Sequence, residues 1–214
     1  MYTVCDSLME KTQKRENGNR VLTLVLAIVI LLMTALFVFT KFICISVYVD
    51  GASMSPTLRS GDVLFANTKM VAEEGDVIVI DGEKQKLEGK GYDWLIKRAI
   101  VVGQKDKTII VKIKDGKVLV GEKGGELKQL LETYLPEGTA TTPTSPGYET
   151  SWEVGEGEIF YLGDNRSNSR DSRHAPYGTC KVSQVVGVVP EWAISARWLS
   201  GFLFDAGQFF ANLF

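Results

Sequence analysis

A mainly β, membrane-anchored domain is the fold class that this 214-residue sequence predicts. Three observations carry the expectation. Residues 21–40 form a charge-free run whose only polar members are Thr23, Thr34 and Thr40, matching the roughly 20 residues that a bilayer-spanning helix needs. Beyond it, short runs of β-branched and aromatic residues recur between Gly-Asp and Asp-Gly turn signals, which is the composition of strands. The carboxyl end is apolar and aromatic along one side at helical spacing, as in an amphipathic helix.

Taken in order, residues 1–20 are polar without an apolar period and read as a short cytoplasmic tail. Lys11, Lys14, Arg15 and Arg20 precede the apolar run and only Lys41 follows it at once. That asymmetry keeps the amino end cytoplasmic and puts the rest outside, as a single-pass protein of the cell membrane. A cleaved leader would have a shorter apolar core and a small-residue cleavage site. Phe42 and Ile43 supply none, so residues 21–40 read as a retained anchor.

The extracytoplasmic β-rich domain is expected over residues 41–189. Strands are predicted over Ile43–Val49, Val63–Ala66, Val77–Ile80, Trp94–Val102, Thr108–Ile113, Lys117–Val120, Glu158–Leu162 and Gln184–Val189. Asp115-Gly116 suits a two-residue hairpin. Residues 121–157 differ in character and read as an insertion, with a short helix around Glu126–Tyr134 and a Thr, Pro and Gly cluster over Gly138–Gly147 forming a mobile loop. In the final segment, 190–214, Trp198, Leu199, Phe202, Leu203, Phe209, Phe210 and Leu213 share one side, and Arg197, Ser200, Asp205, Gln208 and Asn212 the other. Such a helix either packs its apolar side on its own domain or lies in a membrane interface.

Composition excludes some functions. A formal net charge of -2 argues against nucleic acid or another polyanion as partner. Cys5, Cys44 and Cys180 are too far apart in sequence to form a ligand pair, so no metal site, cofactor or disulfide framework is expected and all three read as free thiols.

The chemistry centres on three segments: DGASMSPTL with Ser53, WLIKRAIVV with Lys97, and GDNRSNSRDSR from Gly163 to Arg173. A serine hydroxyl becomes a useful nucleophile only when a neighbouring base takes its proton. Two bases are open. His174 is the only histidine and could join Ser53 and Asp171 in a triad. Alternatively, a buried lysine loses part of its preference for the charged form, and Lys97 shares a strand face with the apolar Leu95, Ala99 and Val101. Arg98 points the other way and stays protonated. By pattern alone, Lys97 reads first as an edge lysine snorkelling to water, Ser53 as turn chemistry, and His174 as a surface residue before Pro176, Tyr177 and Gly178. The small residues Gly51 and Ala52 leave room for a substrate backbone beside Ser53, whose amide could help bind an oxyanion. Met54 could pack or touch lipid.

The order of anchor, DGASMSPTL, GDVLFANTK, EEGDVIVI, IKRAIVV and GDNRSNSRDSR resembles the bacterial type I signal peptidases over nearly the whole external region. That resemblance implies a serine endopeptidase with Ser53 as nucleophile and Lys97 as general base. It further implies that Ser169 hydrogen-bonds the lysine amine, that Asp171 and Arg173 form a bracing ion pair, and that Asp164 and Asn165 support the turn. Gly51, Ala52 and Met54 would flank substrate and oxyanion. Partners would be the lipid bilayer and secretory preproteins with small side chains at the first and third positions before the cut, bound as an added β-strand. The sequence departs from many relatives in lacking a Leu-Pro-Gly-Asp turn after the lysine strand, and it has Gly51 where some have a serine. Rival readings are a self-cleaving Ser-Lys protease and a membrane-anchored β-domain that binds peptides without cutting them.

Overall fold

The computed structural model describes residues 18–35, 37–38, 43–82, 94–143, 150–198 and 200–202. The chain divides into two compact units, Met1–Ile43 and Cys44–Phe214. In the first, helix α1 (Gly18–Ala35) is long and apolar enough to cross a membrane, and none of it is buried. Its leucines, valines and isoleucines are exposed, as expected of a helix whose solvent is lipid.

The second unit is built from two antiparallel sheets. The larger uses β1 (Cys44–Tyr48), β2 (Val63–Asn67), β3 (Val77–Asp81), β4 (Trp94–Val102), β9 (Glu158–Leu162), β10 (Cys180–Lys181) and β11 (Val185–Val189), in the order β1-β2-β11-β3-β4-β9-β10. The smaller uses β5 (Ile109–Lys114), β6 (Lys117–Glu122), β7 (Lys128–Gln129) and β8 (Ser151–Val154), in the order β7-β6-β5-β8. Every expected strand forms, most within a residue or two of its expected ends. The short strands β7, β8 and β10 carry too little periodicity to be read from sequence.

The alternation of β3 builds the core on both faces. Val77 and Val79 pack with Val47, Met54, Leu58 and Leu64, whereas Ile78 and Ile80 pack with Leu95, Ala99, Ile159 and Tyr161. Each such side chain removed from water contributes about 1.5–3 kcal/mol. A third cluster, around Ile100, Val101, Val111, Trp152 and Phe160, joins the end of β4 to the smaller sheet. A register shift between Ala99 and Val101 against β9 breaks the alternation of β4. Val101 therefore leaves the cluster of Leu95 and Ala99, contrary to the face expected from sequence.

One further expectation is corrected, and one left open is narrowed. No helix forms over 126–134: Lys128 and Gln129 pair with Val120 and Leu119 as β7, and the Leu130 amide bonds the Val118 carbonyl at 2.9 Å. The edge of β6 offers ready backbone partners, whereas so short a helix is marginal on its own. The carboxyl-terminal segment is turned opposite to the self-packing arrangement. After α2 (Glu191–Ser195), residues 197, 198 and 200–202 are again helical. Ala193 and Ser200 are enclosed (Ser200 1% exposed), while Trp198 and Phe202 are 73% and 66% exposed. Small side chains let the helix approach the domain, and the large aromatics are left outward. Leu199, Leu203, Phe209, Phe210 and Leu213, with the Gly147 end of the expected loop, lie outside the described residues. Cys44 and Cys180 are free thiols, and burial pushes Cys180 up to about 12.

Candidate active site

Ser53 sits in the loop joining β1 to β2. Its base is closed by the Val49 amide bonding the Asp62 carbonyl and the Gly61 amide bonding the Val49 carbonyl, both at 2.9 Å. Gly51 takes φ of +101° at the turn, a region that side chains with a Cβ rarely adopt. Met54 and Leu58 then anchor the loop in the core, where Met54 is 1% exposed, so Met54 has no surface to offer lipid.

Lys97 reaches Ser53 from the neighbouring part of the sheet. β4 pairs with β3 along Trp94–Arg98 and with β9 only from Arg98 onward, because the chain leaves β9 at Gly163. Nζ of Lys97 lies 2.8 Å from Ser53 Oγ and donates to the Ile96 carbonyl at 2.9 Å. The side chain is 4% exposed. Burial lowers its pKa from 10.5 to about 8, against the opposing pull of the Asp171 and Asp164 carboxylates.

The corner from Gly163 to Arg173 is the brace. Asn165 holds the serine loop twice, its amide bonding the Ser53 carbonyl and its Nδ2 bonding the Ala52 carbonyl, each at 3.0 Å. Gly163 is wedged beneath: a Cβ there would lie 2.2 Å from Ser169 Oγ and 2.4 Å from the Ser53 carbonyl oxygen. Asp171 accepts Arg173 Nε at 2.8 Å and Nη2 at 2.9 Å, and the Gly163 amide at 3.0 Å. Asp164 accepts from Arg98 at 2.8 and 2.6 Å, and from Thr57 Oγ1 at 2.6 Å. Both carboxylates are buried, paired with a buried arginine and hydrogen-bonded, which is what makes buried charge tolerable.

The hydrogen bond implied between Ser169 and the Lys97 amine is not formed. Ser169 Oγ is buried with no partner among the described residues, since the amine is directed at Ser53 and Ile96 and the serine is packed against Gly163. Nor is His174 placed for a triad. It is half-buried, its Nδ1 accepts the Asp171 backbone amide at 3.3 Å, and the Asp171 carboxylate is committed to Arg173.

Gly51, Ala52, Ser53, Met54 and Lys97 line one groove of about 600 Å³, together with Val47–Asp50, Trp94–Ile96, Asn168, Arg170 and Tyr177. Among the described residues no group of His, Cys, Asp and Glu could hold a metal ion.

The family model described as signal peptidase, peptidase S26, matches residues 21–193. The chain belongs to this family. Signal peptidase I T of Bacillus subtilis is 31% identical over 189 residues, covering 83% of this chain and 87% of that protein. Signal peptidase I of Bacillus caldolyticus is 30% identical over 191 residues, covering 83% and 92%. A crystal structure of a signal peptidase I from Enterococcus faecalis is 26% identical with a TM-score of 0.37, covering 56% of this chain and 97% of that one.

Within this peptidase S26 chain, several bracing residues escaped the sequence reading. Arg98 was read only as a rejected base, yet it grips Asp164, donates to the Gly75 carbonyl at 2.7 Å and lies 3.9 Å over the Tyr134 ring. Arg166 pairs with Glu132, to which Tyr134 donates at 2.7 Å. The density of arginines in GDNRSNSRDSR was the available signal. Their partners at 132 and 134 stand in a segment with no motif, so no spacing rule could find them.

Proposed function

We propose that the chain is a signal peptidase I, a serine endopeptidase removing signal peptides from secretory preproteins, with Ser53 as nucleophile and Lys97 as general base. One observation carries this reading: a buried lysine amine, its pKa lowered by burial, 2.8 Å from a hydroxyl on the wall of an open groove.

The proton path is short. Neutral Lys97 Nζ takes the Ser53 proton as Oγ attacks the scissile carbonyl, then gives it to the departing amine as the C–N bond breaks. Lys97 Nζ, neutral again, next deprotonates a water that attacks the acyl ester, and gives that proton to Ser53 Oγ as the acid leaves. Among the described residues the Ser53 amide donates to no acceptor, which leaves it available to the oxyanion. Gly51 and Ala52 keep that approach open.

Among the described residues, 94–97 are paired on one side only, so an extended preprotein segment adds there as a strand, with small side chains at the first and third positions before the cut entering the groove. The bilayer is the second partner. Helix α1 crosses it with the amino end cytoplasmic, in keeping with the basic residues before the anchor. Outward-facing Trp198 and Phe202 suit its interface.

Ser53→Ala and Lys97→Ala should each abolish cleavage of a preprotein ending its leader in Ala-x-Ala, with the circular dichroism of the domain unchanged. His174→Ala should leave turnover within about twofold, as expected of a residue outside the proton path. Full turnover by either dyad variant in the membrane-reconstituted enzyme would exclude the mechanism.

A further inference from the structure

Three arginines stand in the corner segment, and two are consumed by structure. Arg166 and Arg173 are buried and bonded to carboxylates and carbonyls. Arg170 differs: its side chain is exposed, lines the groove beside Asn168 and Tyr177, and makes no hydrogen bond or ion pair among the described residues. Its backbone is fixed on both sides. Asp171 is locked by Arg173, and Ser169 packs against Gly163, which itself abuts the Ser53 carbonyl. Arg170 is therefore one residue from the wall that backs the reacting hydroxyl.

The location decides what Arg170 can read, on the activity proposed above. The first and third positions before the cut take only small side chains, so the charged side chain that an arginine on the groove wall can meet stands at another position, the second before the cut or the first after it. A guanidinium with a free fork of donors suits a carboxylate and repels an ammonium. Asp50, a carboxylate on the same groove, makes no ion pair or hydrogen bond with it among the described residues. We infer that Arg170 is a specificity residue that favours an acidic side chain on the preprotein at one of two positions outside the small-residue pockets, the second before the scissile bond or the first after it.

The test uses the full chain in detergent with peptides differing only in Asp, Asn or Lys at each of those two positions. In the wild type at low salt, kcat/KM should favour Asp over Lys by about fivefold at one position, the upper worth of an exposed ion pair. The preference should shrink as salt is added, survive in Arg170→Lys, vanish in Arg170→Ala and reverse in Arg170→Glu. Because each ratio is taken within one variant, any general loss of activity cancels. An equal Asp-to-Lys ratio in wild type and Arg170→Glu, with the Asn peptide still cleaved, would discard the role of Arg170 and leave the peptidase reading intact. Fluorescence anisotropy of the same peptides on Ser53→Ala protein separates the two claims further. A binding preference that reverses in the Ser53→Ala, Arg170→Glu double variant supports the inference without any turnover, and one that does not reverse overturns it.

Discussion

Lys97 carries opposite obligations to catalysis and to stability. Its pKa of about 8, against 10.5 when exposed, follows from burial. Cleavage should therefore rise as the pH passes through about 8, and a rate flat down to acid pH would exclude lysine as the base. For stability the sign is the same. Between about 8 and 10.5 the unfolded chain holds a proton that the folded chain lacks, so stability climbs with pH across that window. Below about 8 both forms are protonated, and the full penalty of a buried ammonium applies, roughly 3 kcal/mol. Replacing Lys97 by Met should accordingly remove activity yet raise the stability measured by urea unfolding at pH 7. That advantage should shrink as the pH approaches 10. A destabilised Lys97→Met at pH 7 would mean that its contacts with Ser53 and Ile96 outweigh its desolvation.

Strand β4 does two jobs with adjacent residues, presenting Lys97 to the serine loop and Arg98 to the corner. The Arg98–Asp164 pair is buried at both ends and is joined through Tyr134 and Glu132 to Arg166. Removing one member of a buried pair strands the other charge, which costs about 3–5 kcal/mol. Asp164→Ala should lose stability on that order in chemical denaturation and also loosen Thr57 in the serine loop. Gly163→Ala should be as damaging for a different reason, since its methyl group would occupy space held by Ser169 and the Ser53 carbonyl. Tyr134 reports the same clasp from the other side. Its hydroxyl pKa is raised by burial and by the Glu132 carboxylate that accepts its hydrogen bond.

The molecule as a whole separates anchoring from chemistry. All the residues proposed to act lie in the unit Cys44–Phe214, and α1 lies in the other. A chain lacking residues 1–43 should thus still cleave a short soluble peptide, while losing most of its rate on a preprotein presented in vesicles. Equal loss on both substrates would show that the first unit shapes the site itself. Within the second unit, the outward Trp198 and Phe202 make a double change to serine the natural way to weaken residual vesicle binding of that truncated chain by flotation.

The strands and the apolar helix were legible in the sequence because each rests on local rules, alternation over a few residues and an apolar length set by bilayer thickness, whereas Ser53 and Lys97 stood out only through the resemblance of their segments to a known family. The Glu126–Tyr134 segment was misread because a free edge on β6 supplies backbone partners that no local propensity reveals. The outward turn of Trp198 and Phe202 was likewise invisible, since amphipathicity gives a helix two sides without saying which one meets the domain. What residue types and spacing determined by themselves was the list of groups able to move a proton. Their 2.8 Å approach, the burial that frees the amine of its proton, and the double arginine-carboxylate brace depend on strands far apart in sequence packing side by side, because distance and dielectric are properties of neighbours in space.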